Sequence, residues 1–140
     1  MRPKKDADTV TGEEREGSST GFPRRAYDLQ ERVSKFGEDV IRFVAGLPKS
    51  AMTPVLTNQL IRSSTSIAAN YMEADCAESA RDFRHKIAIC RKEAKETVHW
   101  LRMLAAASPS MEGRLHELSR EARELELILS SILRKASARQ

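Results

Sequence analysis

Residues 79–107 read SARDFRHKIAICRKEAKETVHWLRMLAAA, and their periodicity decides the fold. Phe83, Ile87, Cys90, Ala94, Thr97, Leu101 and Leu104 follow one another at alternating steps of four and three. That spacing places all seven on one stripe of an α-helix, at the repeat that favours side-by-side helix packing. Ser79 with Asp82 three residues later resembles a capping box, with Asp in place of the longer Glu. Ser108-Pro109-Ser110 ends the segment, because proline cannot continue the helical ladder.

The same pattern extends in both directions. Downstream, Met111, Leu115, Leu118, Ala122, Leu125, Leu129, Ile132 and Ala136 form a fourth seam. Upstream, Leu56, Leu60, Ser63, Ile67, Tyr71 and Ala74 share a face of a helix that Thr53 caps and Pro54 opens. Its middle, Ser63-Ser64-Thr65-Ser66, is a run of small hydroxyl residues, which compete for backbone partners and are mediocre helix formers. Before that, Leu29, Val33, Phe36, Val40, Phe43 and Leu47 define a first helix from Tyr27, with Gly46 relaxing its cap and Pro48 stopping it. Four long amphipathic helices with short breaks predict an all-α, antiparallel up-down-up-down four-helix bundle over residues 27–140. Residues 1–26, rich in glycine and poor in apolar side chains, read as a disordered tail with Arg24-Arg25 as a solvated pair.

Composition narrows the function classes. The chain has 140 residues, a net charge of +4, 31% charged residues and only 5% aromatics. Helix formers dominate and an all-β fold is excluded. Two cysteines make no disulfide scaffold and fit a reducing, cytoplasmic setting. No apolar run reaches the roughly 18 residues that a membrane span needs, and no secretory signal pattern opens the chain.

Catalytic and metal readings fail on geometry. Bundles can hold two metal ions through paired Glu-x-x-His motifs, and Glu96-x-x-His99 and Asp82-x-x-His85 match in spacing. At 100° per residue with Arg84 at zero, the helix 3 seam centres near −100°, whereas His99 falls at about +60° and Glu96 at about +120°. Both pairs also lie on one helix, and ligands must converge. Cys90 sits on the apolar seam, Cys76 in a loop without a sequence-local base, and no second cysteine pair makes a zinc motif. No glycine-rich phosphate loop or nucleophile elbow occurs. The expectation is therefore a protein that is not an enzyme, with no cofactor, no metal and no small-molecule substrate.

One positive signal remains. Residues 79–107 hold seven basic and three acidic residues, so their net +4 equals that of the whole chain. Arg84, Arg91, Lys95 and Arg102 fall within about 20° of one line, which runs about 27 Å along the helix. Arg81 and His99 flank it. A solvated face accounts for such a line; so does a surface that tracks phosphates. Glu93 and Glu96 are expected to pair with nearby lysines and dilute the field. Trp100 is the sole tryptophan and sits about 160° round, so base stacking is disfavoured. Trp100, Ile89 and Met103 form a second apolar patch, either an extension of the core or a subunit interface.

The chain also resembles a known family, the 23S rRNA intervening-sequence proteins, or four helix bundle protein family. The resemblance rests on Tyr27-Asp28-Leu29-Gln30-Glu31-Arg32, Phe43-Val44, Leu47-Pro48-Lys49 and Asn58-Gln59-Leu60-Ile61-Arg62-Ser63. It continues through Ser66-Ile67-Ala68-Ala69-Asn70-Tyr71-Met72-Glu73-Ala74, Asp82-Phe83, His85-Lys86-Ile87, Lys92-Glu93-Ala94-Lys95-Glu96-Thr97 and Trp100-Leu101. Thr65 and Ala68 stand where the family usually carries a glycine for close helix packing. The resemblance implies a four-helix bundle, ring-like homopentamers and no established catalytic residues. Some members are encoded within insertions in 23S rRNA genes, and a related family uses a basic pentameric barrel to hold nucleic acid and a reverse transcriptase. Asn70, Tyr71, Glu73 and Glu93 match recurring family positions, expected to serve helix–helix hydrogen bonds or ring contacts; Trp100 joins them as a candidate interface residue. The expected partners are further copies of the chain and RNA or DNA. The rival expectation is a homo-oligomeric protein–protein scaffold with no nucleic-acid role.

Overall fold

The computed structural model describes residues 24–49 and 53–139, with side chains from 28 to 49 and from 54 onward. It holds four α-helices: α1 (Arg24–Ala45), α2 (Thr53–Asp75), α3 (Ala80–Ala107) and α4 (Glu112–Ala138). A single 3-10 turn, Pro109–Met111, links α3 to α4. Strands are absent among the described residues. Helix α1 begins three residues before Tyr27, so Arg24 and Arg25 are helical. Residues 1–23, the rest of the expected tail, lie outside the described residues.

The seams meet in one core. Val33, Phe36 and Val40 from α1, Leu60 and Ile67 from α2, and Ile87, Cys90, Ala94 and Leu101 from α3 are at most 2% exposed. Leu115, Leu118, Ala122, Leu125 and Leu129 complete it from α4. Contacts between α2 and α3 fix their direction. Glu73 meets Lys86, Ile67 meets Cys90, Ser63 meets Thr97 and Arg62 meets Glu96, so one number falls as the other rises. The two helices are antiparallel in a constant register. Leu29 shares a cleft with Tyr71 and Ile132, while Asp39 shares one with Arg114 and Glu117, so α1 also runs against α4.

Local chemistry closes each helix. Gly46 donates to the carbonyls of Arg42 (3.3 Å) and Phe43 (3.2 Å), and it does so without the left-handed conformation that a glycine cap suggests. Ser79 accepts the Asp82 amide at 3.0 Å and caps α3. The hydroxyl run stays helical because each side chain bonds back along its own helix: Ser63 to Leu60 O, Ser64 to Ile61 O, Thr65 to Ile61 O and Ser66 to Arg62 O. Ser63, Ser64 and Thr97 are fully buried, and Thr97 Oγ1 donates to Ser63 Oγ at 2.9 Å. No buried side-chain nitrogen or oxygen among the described residues is left unpaired. That condition lets a polar layer sit inside the core at little cost. Small residues also let α1 approach α2: a Cβ on buried Gly37 would lie 3.7 Å from Thr65 Cα. The close-packing glycine is therefore on α1, opposite the position where the family resemblance places one.

Helix α1 rests mainly on α2, and the α1–α4 seam is the open side of the bundle. A cleft of about 630 Å³ lies there, lined by Leu29, Tyr71, Phe83, Ile128 and Ile132. Arg32 ties its two walls together, donating to Glu121 (2.6 and 2.9 Å) and to Glu124. Its guanidinium is held more basic than usual by the hydrogen bond to Glu121.

Candidate nucleic-acid interface

The α3 line is positioned by the burial of the apolar seam, which lies about 100° round the helix from it. With Ile87, Cys90, Ala94, Thr97, Leu101 and Leu104 packed inward, helical geometry turns Arg91, Lys95 and Arg102 outward. All three are exposed, as is Arg81; Arg84 is half-buried. Among the described residues Arg81, Arg91, Lys95 and Arg102 have no ion-pair or hydrogen-bond partner. Arg84 takes part in an interaction of its own. The line runs along the α3–α4 side, where Ala88, Arg91, Lys92 and Lys95 wall a groove of about 480 Å³ with Glu126 and Ser130 of α4.

The acidic residues of α3 do not dilute this line as expected. Glu93 and Glu96 turn to the α2 side, where Arg62 binds both. Arg62 reaches Glu93 at 3.5 Å and Gln59 at 3.2 Å and also bonds Glu96. Both carboxylates lie about 120–180° from the line through Arg84, Arg91, Lys95 and Arg102 and face α2, where Arg62 stands. Arg62 is the residue that periodicity missed. It lies within a motif of the family resemblance, but only the α2–α3 register shows what it binds.

The remaining candidates occupy structural positions. Glu73 bonds Lys86 at 2.7 Å, a second α2–α3 tie. Asn70 Nδ2 donates to Ser66 O at 2.8 Å within its own helix. Tyr71 is 5% exposed in the core, and burial raises its hydroxyl pKa. Trp100 packs on the core, donates its indole N–H to Glu96 at 3.1 Å and meets His99 edge-on at 4.9 Å. Ile89 and Met103 are half-buried, and the large apolar side chains that stand in the open are Ile41, Val55, Met72 and Leu127. The structure therefore does not bring the candidate interface residues into one exposed patch. Cys76 is exposed, and Cys90 is buried, with its thiol pushed up to about 12 mainly by desolvation. No cluster of three His, Cys, Asp or Glu among the described residues converges on a metal position. No described helix is long and apolar enough to cross a membrane.

Fold and surface together define a helical bundle with a cation-lined groove between two adjacent helices. The family model for 23S rRNA-intervening sequence proteins matches residues 25–131, and the chain belongs to that family. A crystal structure of a protein of unknown function from the S23 ribosomal protein family of Bacteroides thetaiotaomicron VPI-5482 superposes with a TM-score of 0.73. It is 28% identical, and the alignment covers 79% of this chain and 98% of that one. No curated protein matches the sequence.

Proposed function

We propose that this protein is a non-catalytic, homo-oligomeric, nucleic-acid-associated protein that tracks backbone phosphates with the α3 line. The observation that carries the proposal is the set of cations Arg91, Lys95 and Arg102 on one exposed line, without partners among the described residues, while Glu93 and Glu96 of the same helix are engaged by Arg62. Arg84 and Arg81 extend the line toward the start of α3. Cations that replace condensed counterions gain affinity that falls with salt. Three contacts give a slope of about −2 to −3 in log K against log salt, or roughly 20- to 40-fold between 50 and 200 mM. The name of the family, 23S rRNA-intervening sequence protein, agrees with an RNA-related role.

Filter binding at 50 and 200 mM salt tests this. Retention should fall by that factor, and an Arg84/Arg91/Lys95/Arg102→Ala variant should lose it. No retention at 50 mM, or equal retention by the variant, overturns the proposal.

Exposed Ile41, Val55, Met72 and Leu127 support a second reading, a self-associating protein scaffold with no nucleic-acid role. Multi-angle light scattering that returns the 15.7 kDa of one chain at micromolar concentration refutes self-association in both readings.

A further inference from the structure

Charge is segregated on both helices that bound the α3–α4 groove. On α3, Asp82, Glu93 and Glu96 lie toward α2, and Arg84, Arg91, Lys95 and Arg102 lie toward α4. On α4, Glu121 and Glu124 turn to α1, where Arg32 binds them. The opposite flank of α4 carries Arg123 and Arg134. By helical geometry they lie about 120–140° from the centre of its buried seam, on the same side as groove-lining Glu126 and Ser130. Both arginines are exposed and have no partner among the described residues.

Register sets the two cation rows side by side. Ala88, Arg91, Lys92 and Lys95 share the groove with Glu126 and Ser130, which sets the middle of that α3 stretch against the middle of that α4 stretch. Because α3 and α4 are antiparallel across a four-residue link, one turn back along α4 brings Arg123 level with Lys95. Two turns forward bring Arg134 level with Arg84. Packed helices lie about 8–10 Å apart, so the face presents two rows of long cationic side chains about that far apart. Ala88 and Ser130 keep the space between the rows low. The half-buried carboxylate of Glu126 sits among Arg91, Lys92 and Lys95 and is outnumbered by them. No aromatic side chain lines this groove. Trp100 is on the α2 flank, bonded to Glu96.

A single strand offers one row of phosphates and is normally held with stacked bases. A duplex offers two rows and is gripped through its shape and backbone. We infer that the α3–α4 face binds double-stranded nucleic acid, with the α3 line on one strand and Arg123 and Arg134 on the other. This rests on the nucleic-acid reading above and deepens it by naming the form of the ligand.

Fluorescence anisotropy separates the two. The probes are a labelled 20-base-pair RNA duplex, the corresponding DNA duplex and one RNA strand alone. The proteins are the wild type, an Arg123→Gln/Arg134→Gln variant and an Arg91→Gln/Lys95→Gln/Arg102→Gln variant, with helicity and melting temperature checked for each. The wild type should prefer at least one duplex to the strand. The α4 variant should lose roughly tenfold in duplex affinity, with its salt slope reduced by about 2, and stay within about twofold on the single strand. The α3 variant should weaken both forms. A wild type that binds no probe overturns the nucleic-acid reading together with this inference. Equal or tighter single-strand binding overturns the inference alone, and so does an α4 variant that changes both forms alike or neither.

Discussion

Gly37 offers the sharpest test of how closely α1 and α2 pack. It is buried mid-helix, and a Cβ built on it would stand 3.7 Å from Thr65 Cα and 3.8 Å from both Ser64 O and Thr65 Cγ2. Those are ordinary van der Waals distances, so alanine fits without movement. Alanine in a helix interior is favoured over glycine by about 0.8–1 kcal/mol, and burying the added methyl contributes up to about 0.8 kcal/mol more. Gly37→Ala should therefore stabilise the bundle by roughly 1–2 kcal/mol. For a domain of this size each kcal/mol moves the melting temperature by about 3–6 °C. Valine differs in kind. Its branches extend about 1.5 Å beyond Cβ, and in a helix its χ1 is largely confined to one rotamer. A methyl directed at Thr65 must push α1 away, and overpacking of this kind costs about 1–3 kcal/mol. Thermal and urea denaturation of wild type, Gly37→Ala and Gly37→Val should be compared at one protein concentration, because self-association shifts apparent stability. The expected order is Ala, Gly, Val. An alanine variant less stable than wild type, or a valine variant as stable as the alanine one, refutes the packing argument.

Four further outcomes follow from the interior and its ties. Thr97→Val keeps the side-chain shape but removes the hydroxyl that stands within hydrogen-bond distance of Ser63 Oγ (2.9 Å) and Glu93 O (2.8 Å), and should cost about 1 kcal/mol in urea denaturation. Arg32→Met breaks the tie across the open cleft. Arg32 and Glu121 are 37% and 32% exposed, so solvent screening limits the loss to about 0.5–1 kcal/mol, and the loss should shrink in 0.5 M salt. In the native protein at pH 8 a thiol reagent should titrate Cys76 alone, with Cys90 reacting only after unfolding. Burial raises the Cys90 thiol to about 12, so the unfolded state ionises first as pH climbs. Stability should hold below about pH 9 and decline between about 9 and 12; a flat profile across that range refutes the assigned burial.

The helices were legible because their buried residues repeat locally. Phe36 and Val40, Leu60 and Ile67, Leu101 and Leu104, and Leu125 and Leu129 each announce a face within a few residues of one another. The cation line was legible for the same reason, since Arg84 to Arg102 lie on one helix and helix geometry is constant. The fate of the acids was not. Glu93 and Glu96 are as near to Lys92 and Lys95 in sequence as a partner can be, yet they bind Arg62, which is over thirty residues away. Gly37 lies in the middle of α1, and only the packing of α1 on α2 sets Thr65 opposite it. Gly46 looked like a left-handed cap and is not one.

A periodic chain settles how its own helices are faced, because a 3.6-residue turn assigns each side chain a direction without reference to anything distant. Four seams, with Ser63 on the second of them, and a one-sided row of arginine and lysine on α3 all belong to that level. Pairings across helices depend on register, which one helix cannot specify for its neighbour. Only the packed bundle places Arg62 on Glu93 and Glu96, Arg32 on Glu121 and Glu124, and Glu126 in one groove with Arg91, Lys92 and Lys95. Those placements draw the carboxylates of α3, and Glu121 and Glu124 of α4, away from one side. They turn a modest net charge of +4 into a concentrated cationic face.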